Sequence, residues 1–142
     1  MLKVLVPVDG SDCAERAVDF LVRKIKWYAE APEIHLLTVH HHMPYGHLVS
    51  MVEHDKLQQY YHDEGLKALK GARAKLDAAG LRYTFHMSVG DPAQIIVQYA
   101  REQHCDQIVM GTHGHGGVSG LLMGSVTTKV LHLVEVPVLL VK

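Results

Sequence analysis

The 142-residue sequence has no surplus of either charge: fourteen Lys and Arg stand against fifteen Asp and Glu, a formal net charge of −1. A dedicated nucleic-acid binder needs a basic surface to meet phosphate, so this balance removes the electrostatic case for one. No apolar run reaches the ~18 residues that a membrane-spanning helix requires. The opening Met1-Leu2-Lys3-Val4-Leu5-Val6-Pro7 runs straight into patterned sequence, without the apolar stretch and cleavage site of a secretory signal. A soluble, cytoplasmic protein with no membrane partner is expected. Cysteine is scarce, with Cys13 and Cys105 alone. They fall at opposite ends of the expected sheet, about 17–20 Å apart by one strand length, too far for a disulfide. None is required, because a chain of this length is one domain, residues 1–142, able to bury roughly 70% of its unfolded surface. Hydrophobic residues at 48% and charged residues at 20% are ordinary for a globular domain and argue against disorder.

Histidine is abundant instead. If all twelve protonated, the formal charge would move from −1 to +11. An ordinary imidazole titrates near pH ~6.5, so much of that swing would fall in the physiological range. A scatter of solvated side chains, a metal site and a pH sensor are the three readings this leaves open.

Strand and helix patterns alternate along the chain. Leu2 to Val8 is a short β-branched run, as in a buried parallel strand. Asp9-Gly10-Ser11-Asp12 is turn chemistry, and Asp12 with Glu15 makes a capping box for an amphipathic helix running to about Glu30. Glu33 to His41 is a second strand, and His42 to Ser50 a loop. A long polar helix spans Met51 to Ala79, with Leu66, Leu69, Ala72 and Leu76 as its apolar stripe and Gly80 as the C′ residue. Leu81 to Val89 alternates, as a half-exposed edge strand does. Asp91-Pro92-Ala93-Gln94 places a cap, a first-turn proline and a third-position Gln in order, starting a helix that ends near His104. Gln107 to Met110 is a strand, Gly111 to Met123 a glycine-rich loop, Ser125 to Val134 a helix and Val138 to Val141 the last strand. The sum predicts an α/β fold: a doubly wound, five-stranded parallel sheet with helices on both faces. Ligands of such sheets bind at the carboxyl ends of the strands.

Six glycines lie between Gly111 and Val126, in a segment that leaves a buried strand and ends at a helix start. Glycine lets backbone approach a ligand closely, and the first N–H groups of a helix are a seat for phosphate. A flexible surface loop capped by Ser125 is the plainer reading. The Walker pattern is absent, since no Gly-Lys-Ser/Thr occurs. The first strand turns through Val8-Asp9-Gly10-Ser11 rather than a dinucleotide fingerprint. An ordinary P-loop NTPase and a Rossmann dehydrogenase are both excluded.

The spacing Gly111-x-x-Gly114, nine residues from His115 to Met123, then Gly124-Ser125, resembles the nucleotide-binding branch of the universal stress protein family. The opening Val4-Leu5-Val6-Pro7-Val8-Asp9-Gly10-Ser11 is similar to that family's first strand and turn, and the likeness covers the whole chain. It implies an adenine-nucleotide site, with ATP as cofactor and Mg²⁺ able to accompany it. Pro7 and Val8 would line the base, Asp9 would bond the ribose, and Val39 would meet adenine through its backbone. Met110 and Gly111 would pass beneath the sugar. Gly114, Gly124, Ser125 and Val126 would hold the phosphates, and His113, flanking the loop with His115, could touch them when protonated. Asp9 has an alternative role as a helix-start residue. The resemblance also implies a homodimer through Val136 to Val141, the alternative being an edge covered by its own chain.

His40-His41-His42 departs from the family pattern. These could sit near adenine or join His47 and His54 around a metal, although adjacent side chains on an extended strand face opposite ways, and zinc needs three or four converging ligands. No metal site is assigned. His54 and His62 share a helix face with Gln58 as solvated groups; His35 and His86 lie within strands. Cys13, in a helix first turn, is either a reactive thiol or a buried inert one. The function expected is an ATP-binding stress-response or signalling protein. A nucleotide-independent, dimeric interaction module is the alternative, and a slow ATP hydrolase or phosphotransfer protein the third reading. The loop has no Lys or Arg and no catalytic triad is recognisable, so no catalytic residue is assigned.

Overall fold

A computed structural model describes residues 1–43, 51–115 and 123–142. Most of the expected loop after the second strand, with His47, and residues 116–122 of the glycine loop lie outside the described residues. Five strands form one sheet: β1 (Lys3–Pro7), β2 (Glu33–His40), β3 (Tyr83–Val89), β4 (Gln107–Gly111) and β5 (Val138–Val141). Their order is β3-β2-β1-β4-β5, and every neighbouring pair is parallel. The chain winds outward from β1 first one way and then the other, leaving a topological switch point between β1 and β4.

The apolar strand residues alternate between two cores, as period-2 geometry demands. Val4, Val6, Ile34, Leu36 and Val109 pack beneath helices α1 (Asp12–Arg23) and α2 (Met51–Ala78). Leu5, Leu37, Ile108 and Met110 face α3 (Pro92–Glu102) and α4 (Ser125–Leu133). Val4, Leu5 and Val6 are completely enclosed, so β1 is apolar on both faces because both are covered. Each such side chain contributes about 1.5–3 kcal/mol by leaving water.

Local signals fixed most helix ends. Asp91 caps α3, its Oδ2 accepting the Gln94 N–H at 3.1 Å with Pro92 in the first turn. Gly80, at φ +67°, ends α2 with N–H bonds from Gly80 to Asp77 and from Leu81 to Leu76, the paired closure that needs a left-handed residue. Three expectations are corrected. The cap of α1 is Ser11, not Asp12: Ser11 Oγ accepts the Ala14 N–H at 3.3 Å. Asp9 decides this by accepting the Ser11 N–H at 2.9 Å, which sets the entry one residue earlier. The helix also stops at Arg23 rather than Glu30, followed by one 3₁₀ turn at Ile25–Trp27. There Trp27 packs edge-on against Phe20 under the Lys24 ammonium, and Tyr28 is drawn to Gln107 on β4 by a 2.6 Å hydrogen bond. These tertiary contacts outweigh the helical periodicity. The third strand starts at Tyr83 rather than Leu81 and lies at the sheet edge, as its alternation indicated.

Candidate functional site

A cleft of about 890 Å³ opens at the carboxyl ends of β1, β2 and β4, beside the switch point. That volume suits a ligand the size of a nucleotide. Pro7, Val8, Asp9, Val39, Met110, Gly111, His113, Gly114, Gly124, Ser125 and Val126 all line it. The sheet assembles them from four separate stretches of sequence, because parallel strands bring their carboxyl ends to one edge.

Asp9 is held by three contacts within the protein. Its Oδ1 accepts the Ser11 N–H, its Oδ2 accepts the His115 N–H at 3.3 Å, and its carbonyl accepts the His115 Nε2–H at 2.7 Å. The loop after β4 is therefore strapped to the turn after β1. A carboxylate has about four acceptor directions, so two remain for a ligand hydroxyl. Glycine at 114 fits this closeness: a β-carbon there would run into Asp9 Oδ2 and push the carboxylate aside.

Gly111 is required by a second close approach. A β-carbon on it would lie 2.8 Å from Cys13 Sγ and 3.0 Å from the Cys13 carbonyl. The Gly111 carbonyl accepts the buried Thr127 hydroxyl at 3.0 Å. Thr112 donates its N–H to Val141 at 3.0 Å, and its carbonyl accepts the Gly124 N–H at 2.7 Å. The last bond corrects one expectation. The Gly124 N–H is committed to the protein and is not available to a phosphate, so Gly124 shapes the site while Ser125 and Val126 begin the helix. Gly124 itself occupies the cap position of α4, without a side-chain cap, so Ser125 is not the cap. The first N–H groups of α4 have no partner within the helix.

Cys13 is buried and free, as is Cys105. Burial acts to raise the Cys13 thiol, but hydrogen bonds from the His113 backbone and from Thr112, with the Arg16 charge, outweigh it and hold the thiol below its ordinary range. Its sulfur lies 3.4 Å from the Val141 carbonyl and 3.7 Å from Thr112 Oγ1, beneath the loop rather than in it.

The far wall was not foreseen. Gln58, Tyr61, His62, Gly65 and Ala68 of α2 complete the cleft opposite the β4 loop, with Met87, Ser88 and Val89 from β3. These α2 positions recur every three or four residues, so the one legible signal was a stripe of small and aromatic residues on a helix otherwise read as solvated. The His40 ring packs against Tyr60 and Tyr61, with centroids 5.7 and 5.3 Å away. Among the described residues no three His, Cys, Asp or Glu side chains converge as a metal-binding set. His35 is buried, with Tyr99 at Nδ1 and Glu33 at Nε2, and His86 stacks on it near the sheet edge, away from the cleft.

An open, doubly wound parallel sheet with a glycine-lined cleft at its switch point defines a Rossmann-like class of α/β protein. The chain belongs to the universal stress protein family, whose family model matches residues 1–142. It is 32% identical to universal stress protein MJ0531 of Methanocaldococcus jannaschii over 99% of this chain and 81% of that one. Protein MJ0577, solved as a test case for assigning biochemical function from structure, superposes with a TM-score of 0.82 at 29% identity, covering 99% of this chain and 95% of that one. A universal stress protein in complex with cAMP superposes at 0.71 and 26% identity over 99% and 97%. Two members of lower identity, from Arabidopsis thaliana and Archaeoglobus fulgidus, are known with AMP and dAMP bound.

Proposed function

We propose that this chain binds an adenine nucleotide, ATP, in the cleft and acts as a stress-response or signalling protein of the cytoplasm. The observation that carries the reading is the pairing of Gly111 and Gly114 with close neighbours that exclude a β-carbon, at the mouth of a cleft of nucleotide size. Glycine brings the backbone tight against Cys13 at Gly111 and against Asp9 at Gly114, which shapes the loop around the cleft. Support also comes from the adenine nucleotides bound to related proteins of the same fold.

In this reading Pro7 and Val8 line the base and the Val39 backbone meets its polar edge. Asp9, pre-oriented by Ser11 and His115, accepts a ribose hydroxyl. Met110 and Gly111 floor the sugar. The N–H groups of Gly114, Ser125 and Val126, with the Ser125 hydroxyl, take the phosphates, and His113 stands beside them. The carboxylates lining the cleft are Asp9 and Glu64. Asp9 is already engaged by two N–H groups, so the residues fit Mg²⁺ only as a companion of the phosphates that keeps several waters. Binding rather than hydrolysis is the role assigned.

A homodimer through Val136 to Val141 belongs to the same proposal. All four residues of β5 are half-buried, and β5 is an outer strand of the sheet, an edge that invites pairing. Sedimentation equilibrium should return twice the chain mass; a monomer at micromolar concentration would refute that part.

Thermal melts test the central claim. ATP at about a hundredfold excess over Kd adds about 2.7 kcal/mol to a native state that alone binds it. At about 3 °C per kcal/mol for a domain of this size, Tm should rise by about 8 °C. An unchanged Tm across a titration into the millimolar range would overturn the reading in favour of a nucleotide-independent interaction module.

A further inference from the structure

Among the described residues, the cleft is lined without a lysine or an arginine. Its ionisable lining groups are the Asp9 and Glu64 carboxylates, the Tyr61 phenol and five imidazoles: His40, His41, His62, His113 and His115. With the imidazoles neutral, the two carboxylates give this lining a formal charge of −2; with all five protonated it becomes +3. Imidazole is the side chain whose charge state is the most readily changed near neutral pH. Fixed cations nearby are committed elsewhere. Lys129, the first after the loop, donates to Asp91 Oδ2 at 3.0 Å, and Arg16 donates to the Lys142 carbonyl at 3.1 Å.

The two loop histidines sit in contacts that survive protonation. His115 meets a carbonyl through Nε2, so that nitrogen is the N–H in both charge states, and a proton added at Nδ1 leaves the strap to Asp9 intact. His113 Nδ1 lies 3.0 Å from the Thr112 hydroxyl, which donates to a neutral ring and accepts from a charged one. The groups facing them are Asp9 from the β1 turn, the Cys13 thiol of α1 below Gly111, and Tyr61, His62 and Glu64 from α2. His40 and His41 close the β2 side.

We infer that the cleft is a proton-tuned anion site, in which His113 and His115 supply the positive charge that other phosphate loops take from lysine or arginine. This rests on the nucleotide-binding reading above and adds its regulation. Affinity rises with acidity, and in proportion to the negative charge the ligand brings. Coupling between proton and nucleotide is reciprocal, so bound phosphate also raises the proton affinity of these imidazoles.

The test is isothermal titration with Mg²⁺-free ATP and with adenosine, at about pH 8 and about pH 6, on the intact chain and on the His113→Asn/His115→Gln double variant. ATP should bind about tenfold tighter at the lower pH, a typical coupling, while adenosine affinity stays within about twofold. In the double variant the pH ratio for ATP should collapse towards that for adenosine. Protonation of ATP itself opposes the predicted direction and cancels in the comparison of parent with variant. Equal pH ratios for ATP and adenosine, or a variant that keeps the ratio, would overturn the proposal while leaving nucleotide binding intact. No binding of either ligand at either pH overturns the nucleotide reading and this inference with it. Should the variant not fold, imidazole NMR titration of the intact chain decides: saturating ATP should raise the midpoints of two loop histidines by about one unit, and unmoved midpoints refute the inference.

Discussion

Gly114→Ala is the substitution on which the geometry bears most directly. A β-carbon at this position collides with Asp9 Oδ2, while its backbone is not in the left-handed region, so the effect is steric and confined to Asp9. To make room the carboxylate must swing away, losing the Ser11 N–H bond at 2.9 Å and the His115 N–H bond at 3.3 Å. Each is charge-assisted but partly solvated, worth about 1 kcal/mol. The fold should therefore lose about 2 kcal/mol, a fall in Tm of about 6 °C. ATP affinity should fall more steeply, by at least about tenfold, because the ribose contact and the loop position are lost together. Differential scanning calorimetry and titration calorimetry read the two quantities. A second comparison isolates the cause: in an Asp9→Ala background the group that the new methyl meets is gone, so Gly114→Ala should then cost far less, a non-additive cycle. Full additivity, or ATP affinity within about twofold of the parent, would refute the reasoning.

Three further predictions follow from single contacts. Thr127→Val removes the buried hydroxyl bonded to the Gly111 carbonyl and should cost about 1–2 kcal/mol by chemical denaturation, with no loss of sheet signal in circular dichroism. His86 is held below the ordinary imidazole range by desolvation and then by the charge of His35. The unfolded chain therefore takes up its proton first, and stability falls as pH drops below about 6.5 towards the depressed folded value; in melts across that window His86→Gln should flatten the fall. Glu15 is held above the ordinary carboxylate range chiefly by burial, which Lys75 partly offsets from 3.8 Å while bonding both Asp19 oxygens at 2.7 Å. Lys75→Met should destabilise by up to about 1 kcal/mol at neutral pH. The loss should shrink towards about pH 5, because a carboxyl with a raised folded pKa gains stability as it protonates.

The fold could be read from the sequence wherever one local signal had a single structural solution. β1 is apolar at every central position because both faces are covered, and no half-exposed strand shares that pattern. Asp91-Pro92 and Gly80 fixed their helix ends because each satisfies backbone groups that nothing else nearby can. The strand side of the cleft was readable for a topological reason, since carboxyl ends of parallel strands converge. Failures came where two solutions were locally equivalent. Ser11 and Asp12 are both good caps, and the choice fell to Asp9, whose carboxylate takes the Ser11 N–H. The α2 wall of Gln58, Tyr61 and His62 has the same spacing as a solvated face, and nothing in a helix says which exposed stripe will overhang a cleft. The Gly124 N–H was assigned to phosphate because a helix start exposes such groups; its actual partner, the Thr112 carbonyl, is twelve residues earlier and is brought there only by the packing of α4 beside β4.

Those last bonds tie the proposed nucleotide site to the proposed dimer edge. Gly111 is held by Thr127 of α4, Thr112 by Val141 of β5, and Gly124 by Thr112. Cys13 reaches the same Val141 carbonyl from α1. The two described ends of the glycine loop and the last residue of β5 thus form one hydrogen-bonded knot, with Val141 opposite Gly111 in the β4–β5 register. A ligand that draws Gly111 and Gly114 inward acts on a strand whose outer edge is the surface proposed for pairing. Interiors packed this closely transmit small displacements rather than absorbing them. Any coupling between nucleotide and dimer has its shortest route through Thr112. Thr112→Val keeps the backbone bonds of that knot but removes the hydroxyl shared by Cys13 and His113. ATP should then stabilise the variant as it does the parent while shifting its dimerisation constant less; an identical shift in both proteins would place the coupling in the backbone alone.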